Sequence, residues 1–325
     1  MNYSKEFLKR RLQVQTVQQW DIENDISWEL GIDLTKSLLP PVKSPSIIPN
    51  GTPEEEHAFS QFMGLIAAAA IAEHEKLIEE IKEYSFDRTL KNYNVSEEFV
   101  ELGESFFEDE AKHSKAFTKY IEMYAQELNL TPDELKSILP AHHKNSIFCN
   151  LFKLNSYLGG MAFWWTVATT EEHSMEIFRI IRPMQKKVDP LYYQIHKLHF
   201  EEEVRHSSFA QMMLDLQRSK EAPFLSRLLR KCDFAFSDLL EKAWTIIQLK
   251  KLSRVHRFKD RHPLLNTISI VIGKINSIPL HKRINLLRGD IDYLSLMINP
   301  RKHKNIQKQI SKSNAFVLKI LEGSK

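Results

Sequence analysis

The sequence predicts an all-α protein, and three observations support this fold class. Glycine is scarce, with 9 residues among 325, whereas an average protein contains about 7% glycine. Residues with high helix propensity, such as Leu, Glu, Lys and Ala, are abundant. Apolar residues recur with helical spacing through four long segments between residues 53 and 219. We therefore expect a four-helix bundle with additional N-terminal and C-terminal helices.

The expected helices follow one another along the chain. Residues 1–40 are expected to hold one or two short helices before a proline-rich connector at 39–53. A capping box marks the start of the first long helix at Thr52, and a second capping box at Thr131 predicts a short helix that ends before Pro140. The Gly159-Gly160 pair is expected to allow a close helix approach within the third long helix. The four bundle helices are expected at about 53–84, 96–128, 147–181 and 191–218.

The last hundred residues are also expected to be helical. The segment 268–275 could form a strand, but its apolar residues keep a helical spacing with Leu264 and Ile278, so a helix is favoured. The chain is thus interpreted as one all-α domain in three parts. These are N-terminal helices with the connector (1–52), the bundle (53–219) and basic C-terminal helices (220–325).

Charge is unevenly distributed along the chain. Residues 223–325 contain 21 Lys and Arg against 7 Asp and Glu. The whole chain has a net charge of +3, so residues 1–222 are strongly acidic. A basic region of this kind attracts acidic partners, and an acidic carrier protein is one candidate. Solvated helix faces opposite the acidic part are the favoured explanation, and no nucleic-acid partner is expected.

The cellular setting is predicted from absent signals. Cys149 and Cys232 have no metal-binding spacing and suggest no disulfide framework, which favours a reducing cytoplasm. The N-terminal residues are charged and contain no apolar leader segment. The longest apolar runs, 63–72 and 158–168, are shorter than the roughly 20 residues that a membrane-spanning helix needs. We expect a cytoplasmic protein without a membrane span.

A candidate metal site stands out in the segment LHFEEEVRHSS. His199, Glu203 and His206 are separated by four and then three residues, so on a helix their side chains share one face. Carboxylate and imidazole ligands without thiolate suit iron or manganese. A second Glu-x-x-His pair occurs at Glu110 and His113. Two such pairs on two long helices are half of the ligand set of a carboxylate-bridged dimetal site.

Placement distinguishes these two pairs from chance occurrences. The chain has 29 Glu and 13 His, so random placement gives roughly one Glu-x-x-His pair. Glu54 and His57 form such a pair in the first turn of a helix, where capping and solvated charge explain them better. The other two pairs lie near Phe106 and Phe200, on apolar helix faces. Buried ionisable groups are costly unless they are paired or metal-bound, so we expect these pairs to bind metal.

The other two bundle helices are each expected to supply one carboxylate. The first helix offers Glu73 and Glu75, and the third offers Glu171 and Glu172. Hydrophobic periodicity favours Glu73 and Glu171 without settling the choice. Four carboxylates would balance the +4 charge of two Fe(II) ions, which makes a buried cluster tolerable in a bundle core.

Several neighbouring residues have two interpretations. His199 is one turn before Glu203 and is interpreted as a third imidazole ligand. His196 is favoured as a core or rim histidine whose hydrogen bonds are satisfied over a residue that lines the cavity. Lys112 and Arg205 are next to ligands in sequence and are favoured as solvated charges over partners of the ligands. Trp164 and Trp165 are favoured as core residues over cavity-lining ones.

At these residues the chain resembles the aminoarene N-oxygenases, which are ferritin-like di-iron enzymes of the p-aminobenzoate N-oxygenase type. That family has an additional histidine in a His-x-x-x-Glu-x-x-His arrangement on its last bundle helix, which is matched at residues 199–206. The resemblance covers about residues 55–215. The family's spacing between ligand helices maps onto Glu75 and Glu172. The ligand set that the resemblance implies is Glu75, Glu110, His113, Glu172, His199, Glu203 and His206.

The resemblance also implies an activity. Two iron ions, cycling between Fe2+ and Fe3+, would use O2 as co-substrate to oxidise the amine of a small aromatic molecule to a hydroxylamine or nitro group. Manganese is an alternative metal, and an external electron donor and a homodimer are expected. Two other functions stay open at this point. One is a di-iron hydroxylase or desaturase for an aliphatic or carrier-bound substrate, and the other is a ferritin-like iron-binding protein without oxygenase activity.

Overall fold

The chain is predominantly helical in the part that a computed structural model describes, which comprises residues 3–40, 48, 51–218, 224–279 and 300–322. Within these ranges there is no β-strand, and Ser37 and Val188 form an isolated β-bridge. The predicted all-α class is therefore confirmed. The α-helices are α1 Lys5–Val17, α2 Pro53–Lys82, α3 Arg88–Leu90, α4 Glu97–Glu127, α5 Pro132–Lys136, α6 Ile147–Tyr157, α7 Ala162–Ile181, α8 Pro190–Gln217, α9 Phe224–Leu229, α10 Asp233–Leu252, α11 Pro263–Ser277 and α12 Lys304–Glu322.

Helices α2, α4, α7 and α8 form the predicted bundle. The closest packing joins α2 to α4 and α7 to α8, and α4 also packs on α8. The capping box predicted at Thr52 is present, because its hydroxyl accepts from the Glu55 amide while the Glu55 carboxylate accepts from the Thr52 amide. The capping box at Thr131 is likewise present at the start of α5. These local signals therefore set the starts of α2 and α5.

The prediction of one continuous third helix over 147–181 is wrong. The chain breaks between α6 and α7, where Gly159 adopts a positive φ of 79°, a conformation that glycine tolerates best. The carboxylate of Asp233 accepts a hydrogen bond from the Met161 amide at 2.7 Å and stabilises the break. A Cβ atom at Gly159 would lie 2.1 Å from the Ser226 hydroxyl. The glycine pair therefore ends α6 and allows Ser226 to lie close to the backbone of Gly159.

Two buried apolar clusters occupy the bundle. The first contains residues from the N-terminal half of α2, the C-terminal halves of α4 and α7, and the start of α8. The second contains the end of α2, the N-terminal halves of α4 and α7, and the C-terminal half of α8. Trp164 and Trp165 belong to the second cluster, as predicted for core residues. Along each bundle helix, a short stretch between the two clusters is left for polar side chains.

The flanking helices pack around the bundle, with α1 on α4, α10 on α7 and α11 on α2. Helix α11 confirms the helical prediction for 268–275. Basic residues of the C-terminal part face acidic ones of the bundle: Lys274 pairs with Glu55 at 2.6 Å, and Lys312 with Asp215 at 3.2 Å. This pairing agrees with the favoured explanation of the basic region. None of the helices in the described ranges is long and apolar enough to span a membrane.

Candidate metal centre

Six of the seven predicted ligands lie together in the stretch between the two apolar clusters. Their ligand atoms form two groups, each spanning at most 4.8 Å. Both groups contain His113 from α4 and Glu203 from α8. All six side chains are buried. The first group is completed by Glu75 and His199, and the second by Glu110 and His206.

The distances show that the ligand atoms face one another. The His199 Nε2 atom lies 3.0 Å from a Glu75 oxygen and 2.9 Å from Glu203 Oε1. The same Glu203 oxygen is 3.2 Å from His113 Nδ1 and 3.3 Å from His206 Nδ1. Glu203 Oε1 is thus the atom around which the three imidazoles converge.

Buried polar atoms in this centre lack hydrogen-bond partners among the described residues. They are Glu75 Oε2, Glu110 Oε1, His113 Nδ1, His206 Nδ1 and both carboxylate oxygens of Glu203. Leaving such a group buried and unsatisfied costs about 1–3 kcal/mol each. Cations bound among them would satisfy all of these lone pairs at once. The donor set of carboxylates and imidazoles without thiolate fits iron or manganese, so the residues present fit a two-ion site.

Proton affinities in the centre are strongly shifted in both directions. Burial, reinforced by the nearby Glu110 and Glu203 carboxylates, raises the pKa of Glu75 well above its usual value. Burial also lowers the pKa of His199 well below its usual value. Burial alone would lower the pKa of His206, but the carboxylates of Glu203 and Glu110 outweigh it and raise this pKa. The buried carboxylates and imidazoles therefore shift one another's pKa values, and metal ions bound among them would displace protons.

The first bundle helix places Glu75, not Glu73, in the centre. One Glu73 oxygen lies 2.6 Å from the Lys76 ammonium, and the other accepts from the His142 amide at 2.6 Å. Helix α2 is buried on most of its circumference around its alanine-rich middle. Hydrophobic periodicity favours Glu73, but it cannot distinguish a buried face from an exposed face on this part of α2.

Glu172 is the predicted ligand that lies outside both groups. Its Oε1 atom accepts from the Ser207 hydroxyl at 2.9 Å and from the Asn305 side-chain amide at 2.7 Å. Glu171, the alternative on the same helix, is buried but also belongs to neither group. The third bundle helix α7 therefore contributes no atom to the two groups of ligand atoms in the described chain.

Two further carboxylates hold the ligand imidazoles from behind. Glu202 Oε2 lies 2.6 Å from His113 Nε2, and Asp109 Oδ2 lies 3.3 Å from His206 Nε2. Each contact crosses from one helix to the other. A carboxylate behind a metal-binding imidazole fixes its orientation and raises its basicity. The sequence analysis missed both residues, although each directly precedes a ligand glutamate in two similar segments, DEAKH and EEVRH.

Lys112 connects these two carboxylates. Its ammonium lies 3.1 Å from Asp109 and 2.7 Å from Glu202, and the Arg205 guanidinium is 3.4 Å from Glu202. Burial alone would raise the pKa values of Asp109 and Glu202, but the facing imidazoles and Lys112 outweigh it and lower both pKa values. The interpretation of Lys112 and Arg205 as solvated charges is therefore wrong, because both side chains are engaged with the Glu202 carboxylate.

The N-terminal segment covers this side of the centre. The Trp20 ring stacks on the His113 imidazole with centroids 5.8 Å apart, and the Lys112 ammonium lies 4.5 Å from the Trp20 ring. Gln15 donates to Asp109 at 3.1 Å, and Gln18 accepts from Arg205 at 2.9 Å. No local pattern in residues 1–40 indicates these long-range contacts.

His196 is buried near the centre but is not a satisfied core histidine as predicted. Neither ring nitrogen has a hydrogen-bond partner within the described residues. Its ring lies 5.0 Å from that of Phe117 and 4.2 Å from that of Tyr192, measured between centroids. Burial lowers the pKa of His196 to about 3, so the imidazole is neutral at physiological pH.

Comparison with known proteins gives one family. The family model described as P-aminobenzoate N-oxygenase AurF matches residues 76–237. The match covers about half of the chain and includes six of the seven predicted ligands, beginning directly after Glu75. No curated protein and no solved structure matches the chain.

Proposed function

Because the chain belongs to the P-aminobenzoate N-oxygenase AurF family, we propose that it is a di-iron oxygenase that oxidises the amino group of a small aromatic substrate. The observation that carries this proposal is the buried centre of three carboxylates and three imidazoles with unpartnered donor atoms. Such a donor set is costly to bury without cations. Metal binding therefore explains why the chain keeps these residues inside its core.

The proposed ligands divide between two ions. Glu75 and His199 belong to one group, Glu110 and His206 to the other, and His113 and Glu203 to both. Three carboxylates would leave one positive charge of two Fe(II) ions uncompensated. Glu172 is the proposed seventh ligand because its carboxylate would supply the fourth negative charge. Two bound iron ions would supply the electrons and open coordination positions that O2 activation requires.

The surrounding residues prepare the centre for this chemistry. Asp109 and Glu202 accept from the outward nitrogens of two imidazoles and so fix which nitrogen faces the metal. On the side of the second apolar cluster, the Phe106 ring lies 5.0 Å from the His206 ring and packs against Trp164. This aromatic wall excludes water, which protects a reactive centre from side reactions.

The proposal also covers the electron donor, the alternative metal and the partners of the protein. An external electron donor is included because returning the iron ions to Fe2+ after each turnover requires electrons. Manganese is proposed as an alternative metal since it shares the preference for carboxylate and imidazole ligands. The homodimeric state, the cytoplasmic location and an acidic carrier protein as partner stay predictions.

The proposal is tested by loading the protein anaerobically with Fe(II) and adding isotopically labelled O2 with a panel of aryl amines, aliphatic compounds and carrier-bound substrates. We expect the label in the hydroxylamine or nitro product, and no product with the His199→Ala variant. Labelled aliphatic or carrier-bound products without any N-oxidation would support the hydroxylase alternative and contradict the amine substrate. Oxidation of iron without any organic product would support the iron-binding alternative.

A further inference from the structure

Glu172 is held by two helices at the level of the metal centre. On α7 it lies between the segments that belong to the two apolar clusters, as the ligands do on α2, α4 and α8. Its carboxylate accepts from Ser207, the residue that follows the ligand His206 on α8, at 2.9 Å. It also accepts from Asn305, in the first turn of α12, at 2.7 Å. Glu172 is 4% exposed, so these two donors replace water.

This arrangement competes with metal binding. Hydrogen bonds to a charged group are stronger than those between neutral groups, and a carboxylate oxygen that accepts two of them is less available to a metal ion. The three carboxylates already in the centre leave part of the charge of two divalent ions uncompensated. A second ion therefore attracts Glu172, while Ser207 and Asn305 retain it.

Helix α12 is attached to the bundle along the same seam. The Gln211 side chain donates to Ser207 at 3.3 Å, and the Gln309 side chain donates to Gln211 at 3.5 Å. One turn further on, Lys312 pairs with Asp215. Asn305 is thus presented to Glu172 by a helix that has its own attachments to α8.

We propose that Asn305 is a positioning residue that, together with Ser207, holds the Glu172 carboxylate outside the ligand groups, and that Glu172 exchanges this pair for the second metal ion. Helix α12 thereby sets the affinity of the second ion. This inference rests on the proposed function, because it assumes a two-ion centre. The competing donor belongs to a helix outside the bundle and outside the matched region at 76–237.

The test is a Mn(II) titration in which free Mn(II) is measured by electron paramagnetic resonance. The wild type should bind two ions, the second more weakly than the first. Asn305→Ala should bind the second ion about 3- to 10-fold more tightly, since one hydrogen bond to Glu172 no longer has to be broken. Ser207→Ala should change the affinity in the same direction. Gln307→Ala, which removes an exposed amide on the same helix, should titrate as the wild type does.

The Glu172→Gln background separates the inference from general effects. There the second ion should bind weakly, and adding Asn305→Ala should no longer tighten it. Equal titrations of the wild type and Asn305→Ala, or an undiminished gain in the Glu172→Gln background, would overturn the inference while leaving the two-ion centre in place. A wild type that binds fewer than two Mn(II) ions would overturn the proposed function and this inference with it.

Discussion

The two sides of the metal centre differ in how firmly their ligands are held. Helices α4 and α8 supply five of the six grouped ligands, and Asp109, Glu202 and Lys112 connect them from behind. Helices α2 and α7 supply Glu75 alone, while Glu172 is bonded to Ser207 and Asn305. The side formed by α4 and α8 is therefore pre-organised, whereas on the side of α2 and α7 the Glu172 carboxylate lies outside the ligand groups. Metal centres that change oxidation state need both properties, because fixed imidazoles retain the ions while carboxylates adjust.

The largest effect is expected from removing the carboxylate that both ligand groups share. Glu203→Ala should lower the affinity for both ions by at least about 100-fold, because the remaining buried imidazoles lose their common counter-charge. Metal analysis after anaerobic Fe(II) loading measures this loss. Glu201→Ala, at an exposed position two residues away, is the matched control and should retain both ions. Retention of both ions by Glu203→Ala would contradict the assignment.

The pre-organised side is tested by the carboxylate behind His113. Glu202→Gln keeps the shape but loses the charge that faces the imidazole, so metal affinity should fall by about 10- to 100-fold. Mn(II) titration against Glu108→Gln, an exposed position on α4, gives the comparison. If Glu202→Gln titrates like that control, the outer carboxylates do not stabilise the centre.

His196 tests where the ligand surface of α8 ends. His196→Leu should raise the free energy of unfolding by about 1 kcal/mol, because it removes a buried imidazole without hydrogen-bond partners. Denaturant titration measures this change, and the metal content should equal that of the wild type. A loss of metal in this variant would extend the centre to His196, one turn beyond His199.

A pH-dependent effect is expected on α10, which packs on α7, where burial raises the pKa of Glu241 to about 8. Since its folded pKa lies above the unfolded value, the stability that its protonated form gives is complete below about pH 4.5 and is lost as the pH rises towards 8. Glu241→Gln should therefore be more stable than the wild type by about 1–2 kcal/mol at pH 8, with little difference at pH 4. Denaturant titrations at both pH values check this, and parallel pH profiles would refute it.

Local sequence signals predicted most of the helices, whereas they could not predict contacts between residues that are distant in sequence. The capping boxes at Thr52 and Thr131 and the periodicity of α8 depend on neighbours within a few residues. The break at Gly159 depends on Asp233 and Ser226, which belong to a different part of the chain. The local sequence is compatible with one helix over 147–181, but tertiary packing ends that helix at Gly159.

The same limit applies to the centre. The two Glu-x-x-His pairs are visible because their spacing matches the helix repeat. The cross-helix partners Asp109 and Glu202 are equally regular in sequence, but their role emerges only when α4 and α8 face each other. Trp20 reaches His113 from an N-terminal segment that carries no metal-binding pattern. Hydrophobic periodicity could not identify Glu75 because α2 is buried on most of its surface. The family spacing between ligand helices indicated this residue instead.

The account depends most directly on the centre holding two iron ions in different surroundings. Mössbauer spectroscopy of the anaerobically Fe(II)-loaded protein measures both the number of ions and their environments. We predict two ferrous ions per chain with distinguishable spectra, because three imidazoles, His113, His199 and His206, cannot divide equally between two ions. The difference should disappear or the second ion should be lost in His199→Ala. One iron per chain, or no iron bound within the core, would contradict the account.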